Sequence, residues 1–485
     1  VSNSLLKNGF YNAAAGVVRI GLAVLTIPIL IRLIGVEEYG LWTLTSAVVA
    51  MVALAEAGLS TTTTVFVSQD LAREDNVSLS QTLTVTIGAM LILATIAAIA
   101  LWFGAETLVN LFPKLATEQR LAAVQVLQIA GVVVWTRLLQ QIIVGIEQAY
   151  QRYGVMNLLI TLQSVLNNLG LLIVAWLGGK SLALMQCQAF LSIGALATHI
   201  WLGWSLTANI KPRLLWNNAK GLNIVRYSLM TWLASIGSVL FSQVDRLLVG
   251  YVLGTEIVGV YAAITNITMQ INTFSALSIQ PLIPSVSSLF AEGSQNALTK
   301  LRKYIQQALV INVVTAFALG VILITFAPLI LKLMLQSSFS NEYTLIFQIS
   351  SLIYLLYSVN AVGYYVLFAL NLVLFNMVIV ISSGIISLIF VFILSAKYGL
   401  LGAIIGNSGY LITIGLSIYT SKKMGLSYMN LLDLLLVPII WLFIGALVGF
   451  FSPSAIHIRI IIVSIEFIFI IGWFRFFQYP KLRIN

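Results

Sequence analysis

The chain is 485 residues long, 60% hydrophobic and only 8% charged, with a mean hydropathy of +1.02 and a formal charge of +10. A water-soluble domain carries about 25% charged residues, so water cannot solvate this surface and lipid must be its main solvent. The positive balance does not point to nucleic acid, because the basic residues are scattered among loops and form no stripe.

Crossing about 30 Å of hydrocarbon takes about 20 apolar residues. Fourteen such segments are read, at 10–33, 41–67, 82–104, 121–147, 155–178, 182–206, 226–253, 259–290, 304–334, 343–369, 373–397, 400–421, 432–452 and 457–477. Their apolar runs are continuous and lack a period of two, which predicts helices and not a barrel. The opening "VSNSLLKNGFYNAAAG" has no secretory-signal pattern, so segment 1 is expected to be retained. Its face carries Asn8, Asn12, Arg19 and Thr26.

After it comes the turn "RLIGVEEYGLW", Arg32–Trp42, and a looser copy, "YVLGTEIVGVY", spans Tyr251–Tyr261. Alignment pairs Gly35 with Gly254, Glu37 with Glu256, Gly40 with Gly259 and Trp42 with Tyr261. The first glycine of each suits a left-handed helix end, and the acid suits the next helix N-terminus. Segment 2 carries Thr45, Glu56, Ser60 and Thr63 and ends in "LAEAGLSTTTT". Segment 4 carries Arg137, and segment 5 carries Asn157, Thr161, Ser164 and Asn168. Segment 6 holds Cys187, the single cysteine, which excludes an internal disulfide or cysteine metal cluster.

The basic connector "TANIKPRLLWNNAKGLNIVRY" follows and separates the two motif copies. Segment 7 then presents Ser235, Ser238, Ser242 and Asp245, with Arg246 adjacent, and segment 8 aligns Asn266, Gln270, Thr273 and Gln280. Pro28, Pro281 and Pro284 are candidate kinks. The fold expected is an all-α polytopic membrane protein of about fourteen transmembrane helices. Two six-helix lobes in parallel pseudo-twofold repeat are followed by an extra C-terminal pair. The boundaries are 1–210 and 226–425 for the lobes, 211–225 for a cytoplasmic linker, and 426–485 for segments 13 and 14 with a tail. Basic residues divide 15 to 7 between the two sides, so both ends are expected in the cytoplasm.

Arg19, Glu56, Arg137, Asp245 and Arg246 lie deep in the repeated segments. Each Arg or Asp at mid-helix costs about 2.5–3.5 kcal/mol if unrelieved, so these charges must face one another, water or a ligand. Polar stripes on several segments predict a shared wet cavity, with Arg19, Arg137, Arg246, Asn12, Asn266 and Gln270 binding substrate there. Glu56 and Asp245 are candidates for coupling to a proton or sodium ion. Interhelical hydrogen bonding explains any single Ser/Thr/Asn stripe equally well. No phosphate-binding loop, dinucleotide motif or metal-ligand spacing is present in the sequence, so neither a cofactor nor a catalytic role is expected.

"IPILIRLIGVEEYGLWTL", "LAEAGLSTTTT" and "SQVDRLLVGYVLGTEIVGVYA" resemble the polysaccharide-transporter family, O-antigen flippase type. That family shares a superfamily with lipid II flippases and multidrug extruders. The resemblance implies two six-helix lobes around a cavity and alternating access. The implied cargo is an undecaprenyl-pyrophosphate-linked oligosaccharide, moved from the inner to the outer leaflet of a bacterial inner membrane. It also implies that Arg19 and Arg246 meet the pyrophosphate, and that segments 13 and 14 offer a groove for the lipid tail. Polysaccharide polymerase and glycosyltransferases are the implied associates. A cation-coupled drug extruder and a lipid II flippase are the alternatives; a membrane glycosyltransferase or polymerase fits less well, for want of a sizeable outer loop.

The parallel repeat has a direct test. In a background lacking Cys187, cysteines at Gly35 and Gly254 should both react with an impermeant thiol reagent from outside, and one at Asn218 should not. Labelling of Gly35 and Gly254 from opposite sides would refute the repeat.

Overall fold

The computed structural model describes residues 21–22, 25–56, 58–207, 218–239, 243–279, 286, 289–290, 294–334, 340–370, 372–425, 440, 456–473 and 475. They are helical nearly throughout. Among them, nine helices are long and apolar enough to cross a membrane. The surface is inverted relative to a soluble protein. Phe103, Trp176 and Phe190 are 75–79% exposed, whereas Thr82, Asn312 and Ser351 are fully buried. Lipid solvates the first group, and only the interior can supply hydrogen bonds to the second.

Internal contacts divide the chain into two compact units, Val1–Val260 and Tyr261–Asn485. In the first, α1 (Leu25–Ile34) leads through Gly35 into α2 (Val36–Val52), a 3-10 turn (Ala53–Glu56) and α3 (Leu59–Ala72). There follow α4 (Asn76–Asn110), α5 (Thr117–Ala149), α6 (Tyr153–Trp176), α7 (Ser181–Thr207), α8 (Asn218–Val239) and α9 (Asp245–Leu253). α5 is the central post, packed against α2, α3, α4, α6 and α7. Its buried Leu138 and Ile142 belong to a core that includes Leu41, Met90, Leu184 and Met185.

α8 is held to α3 and α4 by polar contacts. Lys220 Nζ lies 2.8 Å from Asp70 Oδ2 and also reaches Ser78, while Asp70 accepts from the hydroxyls of Ser78 and Thr82. Ser228 donates to Thr62 at 2.9 Å, and the Trp232 indole donates to the Leu54 carbonyl at 2.7 Å. These bonds explain why the start of the expected second lobe belongs, by contact, to the first unit.

α10 (Thr255–Thr268) begins in the first unit and continues into the second. The second unit then runs through α11 (Gln270–Ile279), α12 (Gln295–Met334), α13 (Ser340–Ser358), α14 (Asn360–Ala369), α15 (Val373–Gly406), a 3-10 stretch (Asn407–Thr413), α16 (Ile414–Lys423) and α17 (Ile456–Trp473). α12 is its post, contacting α11, α13, α14 and α17, with Phe317, Val321 and Leu355 in the core. Segments 11 and 12 form a hairpin that turns at Gly399, φ 59°. Its arms touch where Gly402, Gly406 and Gly409 leave no room for a side chain against Leu394, Val391 and Ser387. Small residues let backbones approach this closely. α17 turns Arg459 and Glu466, both 3% exposed, inward with Ile462 and Ile470, and Arg459 donates to the Thr325 carbonyl. Arg459 is thus a buried helical residue.

The structure corrects the expected continuity of three segments. Segment 2 breaks at the 3-10 turn 53–56, segment 8 at Met269 and segment 10 at Val359. None of these breaks has a proline, whereas α1 runs through Pro28. Pro281 and Pro284, segment 13 and the first part of segment 1 lie outside the described residues.

The repeated turn now has a physical reason. Gly35 and Gly254 have φ of 86° and 89° with ψ of 160° and 179°. That backbone is open to glycine alone and more extended than the left-handed helix end expected from sequence. The second glycines make a reciprocal contact. A methyl at Gly40 would overlap the Thr255 carbonyl, and one at Gly259 the Val36 carbonyl. Val36 and Thr255 are themselves equivalent in the alignment, so each copy grips the other in the same way.

Two substitutions test this packing by thermal unfolding in detergent. Gly40→Ala should destabilise by about 1–3 kcal/mol through overpacking, while Gly88→Ala, with nothing within 4 Å of the added carbon, should not. Lys220→Met should cost about 3 kcal/mol, because it leaves the Asp70 carboxylate buried without its cation. A melting temperature unchanged in either Gly40→Ala or Lys220→Met would remove that contact from the account.

Candidate functional site

α5, α6 and α7 enclose a polar cavity of about 380 Å³. Arg137 lines it with Gln140, Gln141, Gln163, Ser164, Asn167 and Gln188. Arg137, Gln140 and Gln141 sit at i, i+3 and i+4 on α5, which returns them to one face. Gln163, Ser164 and Asn167, at i, i+1 and i+4 on α6, also turn toward the cavity. Gln140 and Gln163 exchange amide hydrogen bonds of 2.7 and 3.3 Å, which fix both side chains in the wall. Gln141 Oε1 is buried there with no hydrogen-bond partner, and the Arg137 side chain is exposed. The cavity therefore offers one cation, several amides and hydroxyls, and an unfilled acceptor. Such a wall can hold an anion together with hydroxyl or amide groups.

The other candidates lie elsewhere. Glu56 is half-buried in the 3-10 turn between α2 and α3. Asp245 and Arg246 are buried at the start of α9, where Asp245 Oδ1 accepts from the Arg246 backbone N–H at 2.8 Å. An acid at a helix N-terminus is favoured there by the helix dipole. None of these three borders the polar cavity. In the second unit, Asn266 and Gln270 are half-buried, and the Gln270 amide donates to the Asn266 carbonyl at 2.9 Å, across the break at Met269. Arg19 and Asn12 lie outside the described residues. Among the described residues no cluster of three metal-ligating side chains occurs.

Glu56 and Gln270 each stand at or beside a helix interruption. An interruption frees backbone groups that lipid cannot satisfy, so these are places where the interior must be polar. Much of the segment 2 stripe serves packing instead. Ser60 donates to the Gln141 carbonyl at 3.1 Å and Thr64 to the Gly145 carbonyl at 3.2 Å, while Thr45 and Thr63 bond their own helix. On α6 the expected stripe shares only Ser164 with the cavity. Asn168 donates to the Ser164 carbonyl and Asn157 to the Tyr153 carbonyl, whereas Gln163 and Asn167 reach the cavity. Helical phase taken from Arg137 outward could have found Gln140 and Gln141.

Among curated proteins no match to this sequence was found. Solved structures are similar in fold. The lipid II flippase MurJ in its inward closed conformation gives a TM-score of 0.77 at 14% identity, covering 97% of this chain and 99% of that one. A multidrug resistance MATE family transporter of the MOP superfamily gives 0.70 at 16% identity in its inward-facing conformation, covering 86% and 95%. An outward-facing conformation of such a transporter gives 0.59 at 14%, covering 86% and 96%. At these identities the likeness shows the fold. The polysaccharide biosynthesis protein family matches residues 5–290. With that match spanning more than half its length, and with the motifs around Gly35 and Gly254 inside it, the chain belongs to the polysaccharide biosynthesis protein family, a family of polysaccharide transporters.

Proposed function

We propose that this protein moves a lipid-linked oligosaccharide, carried on undecaprenyl pyrophosphate, from the inner to the outer leaflet of a bacterial inner membrane by alternating access. One observation carries the reading: a cavity inside lipid-solvated helices combines an exposed arginine with amides and hydroxyls. Amides and hydroxyls suit a glycan, and a guanidinium suits phosphate or a sugar carboxylate. Family membership and the fold shared with a lipid II flippase support the same class of cargo.

In this reading the architecture is two six-helix lobes, 1–210 and 226–425, joined by the 211–225 linker, with 426–485 as the extra pair and tail. The reciprocal Gly40 and Gly259 contact supports the pseudo-twofold relation. Arg19, Arg246, Asn12, Asn266 and Gln270 join Arg137 in the substrate path, and both ends are cytoplasmic. A drug extruder for cations is disfavoured, because an arginine-lined cavity repels its cargo.

Complementation of a flippase-deficient strain, with membrane levels checked by blot, tests the assignment. Arg19→Ala and Arg246→Ala should abolish glycan export from proteins that still accumulate, and the Lys variants should retain part of it, since Lys supplies charge without the planar donor fork. Arg137→Ala should fall between. Normal export from well-expressed Ala variants would refute anion binding and favour the drug-extruder reading.

A further inference from the structure

We propose that the buried pair Glu147–His199 is a proton-binding site that couples proton movement to transport. The proposal rests on the transport reading above, and not on the identity of the cargo. His199 Nδ1 on α7 lies 2.8 Å from Glu147 Oε1 on α5, and the two side chains are 1% and 0% exposed. The outer atoms of the pair, Glu147 Oε2 and His199 Nε2, are both buried and have no hydrogen-bond partner. A buried ion pair is not by itself a gain in stability, and a half-satisfied one is worse, so a purely structural role leaves these two atoms unexplained.

The site adjoins a cavity. His199 borders a second cavity of about 380 Å³ between α6 and α7, together with Leu159, Leu162, Leu166 and Thr198. Gln163 and Leu191 border this cavity and the Arg137 cavity alike. Nε2 is on the edge of the imidazole away from the Nδ1 that meets Glu147. Proton exchange at the buried Nε2 therefore requires a movement of α6 or α7 that opens it to the adjoining cavity.

The chemistry of the pair leaves room for one proton. With His199 neutral, its Nδ1–H donates to the Glu147 carboxylate, Nε2 is a bare acceptor, and the pair carries −1. A hydronium ion delivers a proton to Nε2 and leaves as water, forming an imidazolium–carboxylate pair of zero net charge; the reverse step returns the proton to water. Burying net charge is far costlier than burying a neutral pair.

Other titratable groups on the packed elements are engaged or distant. On α3, Asp70 is held by Lys220, Ser78 and Thr82; on α2, Glu38 binds Ser181 and Lys180. On α5, Arg137 borders the polar cavity, while Glu118 and Arg120 occupy the opposite end of the helix, as Glu106 does on α4. Tyr150, Arg152 and Tyr153 follow in the turn to α6, and Arg152 offers Glu147 only its backbone N–H, to the Glu147 carbonyl. Among the described residues none of these groups hydrogen-bonds to the side chains of the pair.

The test uses the full chain in liposomes. pH-difference infrared spectra should show an imidazole change, with a matching perturbation of its carboxylate, worth one proton per chain. Glu147→Leu combined with His199→Leu should lose that signal. Because replacing a buried pair by apolar residues is often neutral for folding, the double variant should still accumulate. Its glycan transport should no longer respond to an imposed proton gradient. Where the double variant does not accumulate, Glu147→Gln serves, with the same losses expected. A wild-type gradient response in either variant, or no such infrared change in the native protein, overturns the proposal. The infrared arm needs no cargo, so a wrong cargo assignment would silence the transport arm alone.

Discussion

Hydrocarbon offers no hydrogen bonds, and the rest of this structure follows from that constraint. Every polar group that enters the membrane must find its partner within the protein. Thr45, Thr63, Ser351 and Ser358 return their hydroxyls to carbonyls of their own helices. Asn312 reaches the Ser358 carbonyl and Asn360 the Thr413 hydroxyl, stitching the second unit together. α17 shows the inversion on one helix: Ile460, Ile461, Ile465 and Ile468 face outward, while Arg459 and Glu466 are buried.

The same constraint gives the repeated turn its meaning. Helices in lipid gain nothing from hiding apolar side chains from one another, so close association depends on backbone proximity and shape. Gly40 and Gly259 supply that proximity at equivalent places in the two copies, and Gly402, Gly406 and Gly409 do so in the α15 hairpin. A glycine is conformationally costly in a helix interior, and its recurrence at these positions is accounted for by the carbonyl or backbone that a side chain would strike.

Two polar systems in the first unit differ in kind. The Arg137 cavity is lined by amides and one exposed guanidinium, which suits many weak polar contacts with an entering group. The Glu147–His199 pair is closed and small, which suits an ion no larger than a proton. Gln163 and Leu191 border both cavities associated with them, so movement of α6 or α7 would alter the two together. The proposed cargo site and the proposed proton site would then share a wall, which is a physical means for one to sense the other.

The sequence by itself determined the class of the protein. Hydropathy and run length set the membrane helices, because a span needs a fixed apolar length whatever its neighbours do. The residue pattern also singled out the repeated turn and the charges that need relief. It did not show that segments 2, 8 and 10 are interrupted, since those breaks carry no proline to mark them. It chose Asn168 over Asn167 on α6, because spacing defines a face but not which neighbour that face meets. It also left Glu147 and His199 apart, 52 residues from one another and each near a helix end. Only tertiary structure, by packing α5 against α7, brought that acid and that imidazole together and sealed them from water.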